Sequence, residues 1–182
     1  DIAGLHLDYI RFPYDYKDVA PRVYRGASAE EIKAHSTFSF DPISLEAMGR
    51  STSKQKWDLF RRESVTRVVS DLNRVFKERR GPQAVVSASV LADFSDGYHH
   101  GFQDSRRWTK ERLVDWVIPM NYTAKIFDRR TGEIRNSLGK RTSAYQLVMG
   151  IQGEEDINEI RRQIKAVRAA GCRGVAIFSY SH

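Results

Sequence analysis

A single cysteine, Cys172, is all the thiol chemistry in a chain of 182 residues. No internal disulfide framework and no cysteine-built zinc site is therefore available. Beside Gly171 and an apolar run, Cys172 reads as a small packing residue. The chain also lacks a long hydrophobic run: its longest apolar stretches, such as Ala84–Ala92 (AVVSASVLA), fall far short of the about 20 residues that cross a bilayer. No membrane span is expected. The first strand-like segment is followed by Arg11-Phe12-Pro13-Tyr14 and not by a glycine-rich turn, and no P-loop occurs. Both absences argue against a dinucleotide or nucleotide fold. Five histidines form no metal-ligand spacing, and the side chains of the adjacent pair His99-His100 do not naturally converge. No metal and no cofactor is expected. Without a GxSxG elbow, and with Cys172 ahead of a strand and not behind one, serine or cysteine hydrolase chemistry is disfavoured. The chain opens on Asp1 with neither an initiating Met nor a signal-peptide pattern, so targeting information is expected to be absent or removed.

What is present is a globular composition: 41% hydrophobic, 11% aromatic, 29% charged, with 30 Lys+Arg against 23 Asp+Glu. The net charge of +7 invites a polyanion reading. Its carriers, however, fall on helix-like segments: Arg61, Arg62, Arg67, Arg74, Lys77, Arg79 and Arg80, then Arg161, Arg162, Lys165 and Arg168. They read as the solvated outer faces of helices, and no nucleic-acid partner is expected.

Periodicity predicts strands at Ala3–Phe12, Ala84–Ala92, Asp115–Tyr122, Leu147–Gln152 and Arg173–Tyr180. Between them, Trp57, Phe60, Val65, Val68, Leu72, Val75 and Phe76 trace an amphipathic helix that Gly81-Pro82 stops. A short helix is expected near Ser105–Leu113. A further one opens with Glu154, Glu155 and Asp156, carries the stripe Ile157, Ile160, Ile164 and Val167, and ends at Gly171. Apolar strands alternating with helices indicate a parallel α/β sheet. An open doubly wound sheet and part of a (β/α)₈ TIM barrel both fit. The missing glycine-rich turn favours the barrel, although five strands do not close one. Residues 1–182 are read as one domain with a long loop at 13–55, and 123–146 as a second stretch that is irregular or helical. The first loop carries Tyr14, Tyr16, Tyr24, Phe38 and Phe40, open to packing or to stacking on a sugar.

Asp8 is the sharpest candidate, a carboxylate near the C-terminal end of a hydrophobic strand, on the face of Gly4 and His6. Such an acid either works in a cleft or is a structural partner of Arg11 or His6. Ser87, Ser89, Leu91 and Asp93 share a face of the second strand, which makes Asp93 a candidate second carboxylate. On the third, Ile118, Met120 and Tyr122 share one face and Asn121 takes the other. Tyr122 suits either a ligand hydrogen bond or packing.

The stretches GLHLDYIRFP (4–13), FSFDPISLEAMGR (38–50), WDLFRRESVTRVV (57–69), VVSASVLADF (85–94), QDSRRW (103–108), LVDWVIPMNYT (113–123) and GVAIFSY (174–180) together resemble the glycosyl hydrolase-like 10 family of bacterial glycosidases. HLDYIRFP followed by PMNYT is the more specific part. The resemblance implies a (β/α)₈ barrel of which these are strands four to eight, with the N-terminal half of the barrel lying outside this chain. The same segments are more distantly similar to family eighteen chitinases. Met120-Asn121-Tyr122 matches their Met-x-Tyr strand, and Asp8 matches the last Asp of their acidic strand, but Ile10 stands where the proton-donating Glu would fall and His6 replaces another acid. The resemblance thus implies a glycoside hydrolase acting on a polysaccharide or cell-envelope glycan, outside the cell or in its envelope. Asp8 would be the general acid, its pKa raised by burial, or the stabiliser of a substrate-assisted reaction, and Asp93 the second carboxylate. The residues expected at the substrate are His6, Arg11, Tyr14, Trp108, Asn121, Tyr122, Gln152 and Tyr180. A carbohydrate-binding protein without turnover is the alternative, and a polyanion binder a weaker one.

Overall fold

The computed structural model describes residues 2–13, 21, 25, 26, 28, 30, 40–49, 51–153 and 156–179. Five strands, β1 (Gly4–Leu7), β2 (Val85–Leu91), β3 (Trp116–Met120), β4 (Val148–Gln152) and β5 (Gly174–Phe178), form one parallel sheet in the order β1-β2-β3-β4-β5. Each strand thus lies beside its neighbour in sequence. Parallel crossovers are right-handed, so a sequential order sends every connecting helix to the same face. That face is the convex side of a curled half-barrel. It buries Leu7, Val86, Ala88, Val90, Val117, Met149 and Ile151.

The α/β class and the helix-covered parallel sheet agree with the sequence reading, but the barrel does not. The sheet is a half-barrel of five strands that ends at β1 and β5, not strands four to eight of a TIM barrel. The inferred N-terminal half of a barrel loses its support with it. Alternating strands and helices specify parallel pairing. Closure is a separate matter, because it requires eight strands with a matched tilt and shear.

The helices are α1 (Pro42–Met48), α2 (Lys54–Arg80), α3 (Phe94–Asp96), α4 (Ser105–Lys110), α5 (Phe127–Leu138), α6 (Lys140–Gln146) and α7 (Ile157–Ala169). Helix α2 ends as expected, with Lys77, Arg79 and Arg80 in its last turn and Gly81 leaving at φ 93; its start at Lys54, capped by Ser53, lies inside the expected 13–55 loop. Helix α1 lies inside the expected long loop, where the Asp41 carboxylate accepts the N–H groups of Ile43 and Ser44. Segment 123–146, expected to be irregular or helical, holds α5 and α6. Its core stripe is Phe127, Thr131 and Ile134, and the polar Thr131 in the middle hides the helical period. Conversely, Ile157 of the expected α7 stripe is 56% exposed. Glu154 and Glu155, expected to open that helix, lie outside the described residues, and Asp156 is its cap.

Strand β1 ends at Leu7, five residues short of the expected Phe12, because Tyr9 adopts φ 50, which no strand accommodates. Between β3 and β4, pairing is limited to Met120↔Gly150 and an isolated bridge Val117↔Leu147. Pro119 lies between these two points and has no N–H to donate to the ladder. A side chain at Gly150 would put its Cβ 2.8 Å from the Pro119 carbonyl oxygen, so the glycine lets the two strands approach.

One core residue reverses its expected role. Arg61, read as part of a solvated helix face, is fully buried. Its guanidinium carbon lies 5.0 Å from the ring centre of Phe40, 5.3 Å from Trp57, 5.4 Å from Phe102 and 6.0 Å from Phe12, and Nη1 is 3.3 Å from Asp58. A guanidinium is weakly hydrated and attracted to ring faces, so this box holds it where an ammonium would not sit. Arg61→Ala is expected to cost about 3 kcal/mol by opening a cavity among the four rings, and Arg61→Lys to recover little of it, both read from urea unfolding midpoints.

Candidate functional site

The concave face of the half-barrel has no helices over it among the described residues, and its floor is small: Ser89, Ile118, Gly150 and Ala176 border a cleft of about 530 Å³ at the C-terminal ends of the strands. Two-residue alternation places Ser87 and Ser89 on this face of β2, opposite His6 on β1 in the register His6↔Ser87. The imidazole is held at both ends, Nδ1 2.9 Å from Ser87 Oγ and Nε2 3.0 Å from Ser89 Oγ. Hydroxyls both donate and accept, so this clamp fixes the ring plane without selecting a tautomer.

Beyond β1 the chain turns sharply. The Asp8 carboxylate accepts the Tyr9 N–H at 2.8 Å, Arg11 N–H donates to Tyr9 O at 2.7 Å, and the Arg11 guanidinium sits 5.1 Å over the Tyr9 ring. Gln103 holds this exit in place. Fully buried, it donates from Nε2 to the Ile10 carbonyl at 3.0 Å and accepts the Leu91 N–H on Oε1 at 3.0 Å, bridging the end of β1 to the end of β2. Phe12 N–H donates to Gly101 O at 2.9 Å and adds a second tie. On the far wall the Tyr122 and Phe178 rings stack, 6.1 Å apart and 17° from parallel. Burial pushes the Tyr122 phenol above its ordinary pKa, and the charge of Asp8 pushes the same way.

Of the expected residues, His6, Asp8, Arg11 and Tyr122 come together in this cleft. Asp8 is exposed, so the burial expected to tune it is not there. The reason is its position past the end of an edge strand. Asp93 is not brought to the cleft. It caps α3, accepting the N–H groups of Ser95 (2.9 Å) and Asp96 (3.0 Å). The Asp96 N–H most of all holds the Asp93 carboxyl below the usual range; burial opposes it, and the Ser95 N–H and the charges of Arg130 and Arg106 add to the lowering. Trp108 is fully buried against α2, donating from Nε1 to Thr66 Oγ1 at 3.0 Å. Asn121 is buried on the convex side, where Nδ2 donates to Phe127 O (3.1 Å) and Thr131 Oγ1 (3.2 Å) and anchors the start of α5. Gln152 pairs in register with Phe178 at the rim, outside the cleft lining. Tyr14 and Tyr180 lie outside the described residues, as do Tyr16, Tyr24 and Phe38.

Sequence reasoning did not find Gln103, Tyr9 or Phe178. The shared face of Ser87 and Ser89 is legible from strand alternation, whereas nothing local distinguishes Gln103. Among the described residues Asp8 is the one carboxylate lining the cleft, and no three His, Cys, Asp or Glu side chains converge on a metal position. The cleft therefore offers one carboxylate, a clamped imidazole, a phenol, a guanidinium and a stacked aromatic wall. No family model matches the chain, and no curated protein matches it.

Two outcomes are expected. Asp93→Ala should cost about 1 kcal/mol at neutral pH, and Asp93→Asn, which caps as well, close to nothing. Because the folded carboxyl is depressed, its contribution is complete above the unfolded value of about 3.9 and disappears as pH falls through the folded one; urea unfolding of the three proteins at neutral and acidic pH reads both effects. Asp8→Asn should lower the phenol midpoint of Tyr122 by removing a neighbouring negative charge, seen by ultraviolet titration as the difference from a Tyr122→Phe background.

Proposed function

We propose that the concave cleft binds a sugar ring and that the chain is a glycoside hydrolase in which Asp8 protonates the leaving glycosidic oxygen. The observation that carries this reading is the meeting of Asp8 with the stacked Tyr122–Phe178 pair in one cleft at the strand ends. The C–H face of a sugar ring is apolar and packs on aromatic faces, while its hydroxyls need the donors and acceptors that His6, Arg11 and Tyr122 supply. The resemblance of HLDYIRFP and PMNYT to the glycosyl hydrolase-like 10 family supports the same reading. It also points to polysaccharide or cell-envelope glycans as the substrate class.

Hydrolysis of a glycosidic bond ordinarily uses two carboxylates around an oxocarbenium-like transition state. With Asp8 the one carboxylate among the described residues of the cleft lining, a substrate-assisted course fits better. The carbonyl oxygen of a 2-acetamido group on the sugar attacks the anomeric carbon as Asp8 gives its proton to the leaving oxygen. The resulting carboxylate then takes a proton from the water that opens the cyclic intermediate. His6, fixed by two serines, orients the ring and does not swing as a mobile base. The single carboxylate also favours a second reading, carbohydrate binding without turnover.

A reducing-end assay over a panel of glycans, run on the parent protein and on Asp8→Asn, tests the proposal. Turnover of a 2-acetamido glycan should fall by about a thousandfold in the variant, with the melting temperature and glycan binding preserved. Undiminished turnover in Asp8→Asn would remove the acid assignment. Binding that Tyr122→Ala abolishes, with no product from the parent protein, would establish the second reading.

A further inference from the structure

A second and larger cavity lies on the helical side. This groove of about 750 Å³ runs between α4 and the junction of α5 with α6, over Val114 and Asp115 just ahead of β3. Four of its lining side chains are cationic: Arg106, Lys110, Arg112 and Arg141. None of the four makes an ion pair among the described residues. Elsewhere on the helical surface Arg74 meets Asp71 and Glu78, Arg107 meets Glu63 and Glu111, and Arg162 meets Asp128 and Glu159, whereas cations such as Arg67 and Arg168 stand singly on convex surface. The groove does contain one carboxylate, Asp115, but it is already engaged. Lys77 Nζ donates to it at 2.8 Å and so does the Val86 N–H, also at 2.8 Å.

Unpaired cations scattered over convex surface are ordinary solvated charges. Four of them lining one concavity repel each other and raise the local positive potential, which a polyanion relieves. Arg112 sharpens the point. Its backbone stands at φ 56, a conformation that glycine adopts without strain, yet the residue there is one whose side chain lines the groove. The hydroxyl of Thr142 adds a neutral donor. Tyr145 is the one aromatic residue in the lining, so there is no stacking platform for a single-stranded nucleic acid.

We propose that this groove binds a compact oligophosphate, with the three guanidinium forks taking phosphate oxygens in pairs and Lys110 acting as a point charge. Planar forks match tetrahedral oxyanions bidentately. Cations contributed by α4, the turn that follows it and α6 fit a ligand with at least two phosphates better than a single phosphate. The site is separate from the concave cleft, and the proposal does not rest on the glycan reading.

Calorimetric titration of the protein at low ionic strength tests it with three probes: tripolyphosphate, orthophosphate and citrate. Tripolyphosphate should bind about tenfold or more tighter than either of the others, and added salt should weaken it. All four cationic residues are exposed, so substituting them leaves the core intact. Lys110→Gln/Arg141→Gln should lose about tenfold in affinity. Arg67→Gln/Arg168→Gln, which removes the same charge from exposed positions on α2 and α7, should leave it unchanged. Arg112→Gly should bind more weakly while melting no lower than the parent. No tripolyphosphate binding by the parent protein, equal losses in the two double variants, or tighter binding of citrate would each overturn the proposal.

Discussion

The buried guanidinium of Arg61 joins parts of the chain that are far apart in sequence. Phe12 follows β1, Phe40 precedes α1, Trp57 belongs to α2, and Phe102 ends the turn after α3. All four rings close on one cation. A buried charge is costly unless its surroundings replace water, so the rings must stay together for the arginine to stay buried, and the arginine keeps them together. The candidate site depends on this. Asp8, Tyr9 and Arg11 lie on the segment between β1 and Phe12, and Gln103, which pins that segment to the end of β2, immediately follows Phe102. The carboxylate's position is thus set by a packing unit on the opposite side of the sheet.

The two faces of the curled sheet divide the work. Right-handed crossovers in sequential order put α2 and α4 to α7 on the convex side, which leaves the concave side lined with Ser89, Gly150 and Ala176 and open enough for a ligand. Several charged side chains of the helical face neutralise one another across one turn or between neighbouring helices, as Arg162 does with Glu159 and Asp128. Those contacts are exposed and contribute little stability one by one. What sets the groove between α4 and α6 apart is that four cations line one concavity.

Much of the architecture was legible locally. The strands at Val85–Leu91, Trp116–Met120, Val148–Gln152 and Gly174–Phe178 fall within the predicted runs, and α2 ends at the predicted Gly81. These features depend on side-chain period and on capping chemistry, both properties of residues close in sequence. The misses share one cause. Thr131 sits in the core stripe of α5 because Asn121 reaches it with a hydrogen bond, and Asn121 and Trp108 leave the substrate list because distant backbone and hydroxyl groups satisfy them in the interior. Asp93 shows an inward alternation that a helix start overrides, since two free N–H groups compete for its carboxylate.

The amino-acid sequence by itself determined the class of this protein, a parallel α/β sheet built from apolar strands and amphipathic helices, and it marked Asp8, His6, Arg11 and Tyr122 as residues to watch. Only the tertiary structure decided that the sheet is an open half-barrel of five strands, that Arg61 is core and not surface, and that Asp8 stands exposed in an aromatic-walled cleft without Asp93. Period and caps are written in neighbouring residues. Curvature, the fate of a charge and the company of a carboxylate depend on which distant segments meet, and nothing local encodes that meeting.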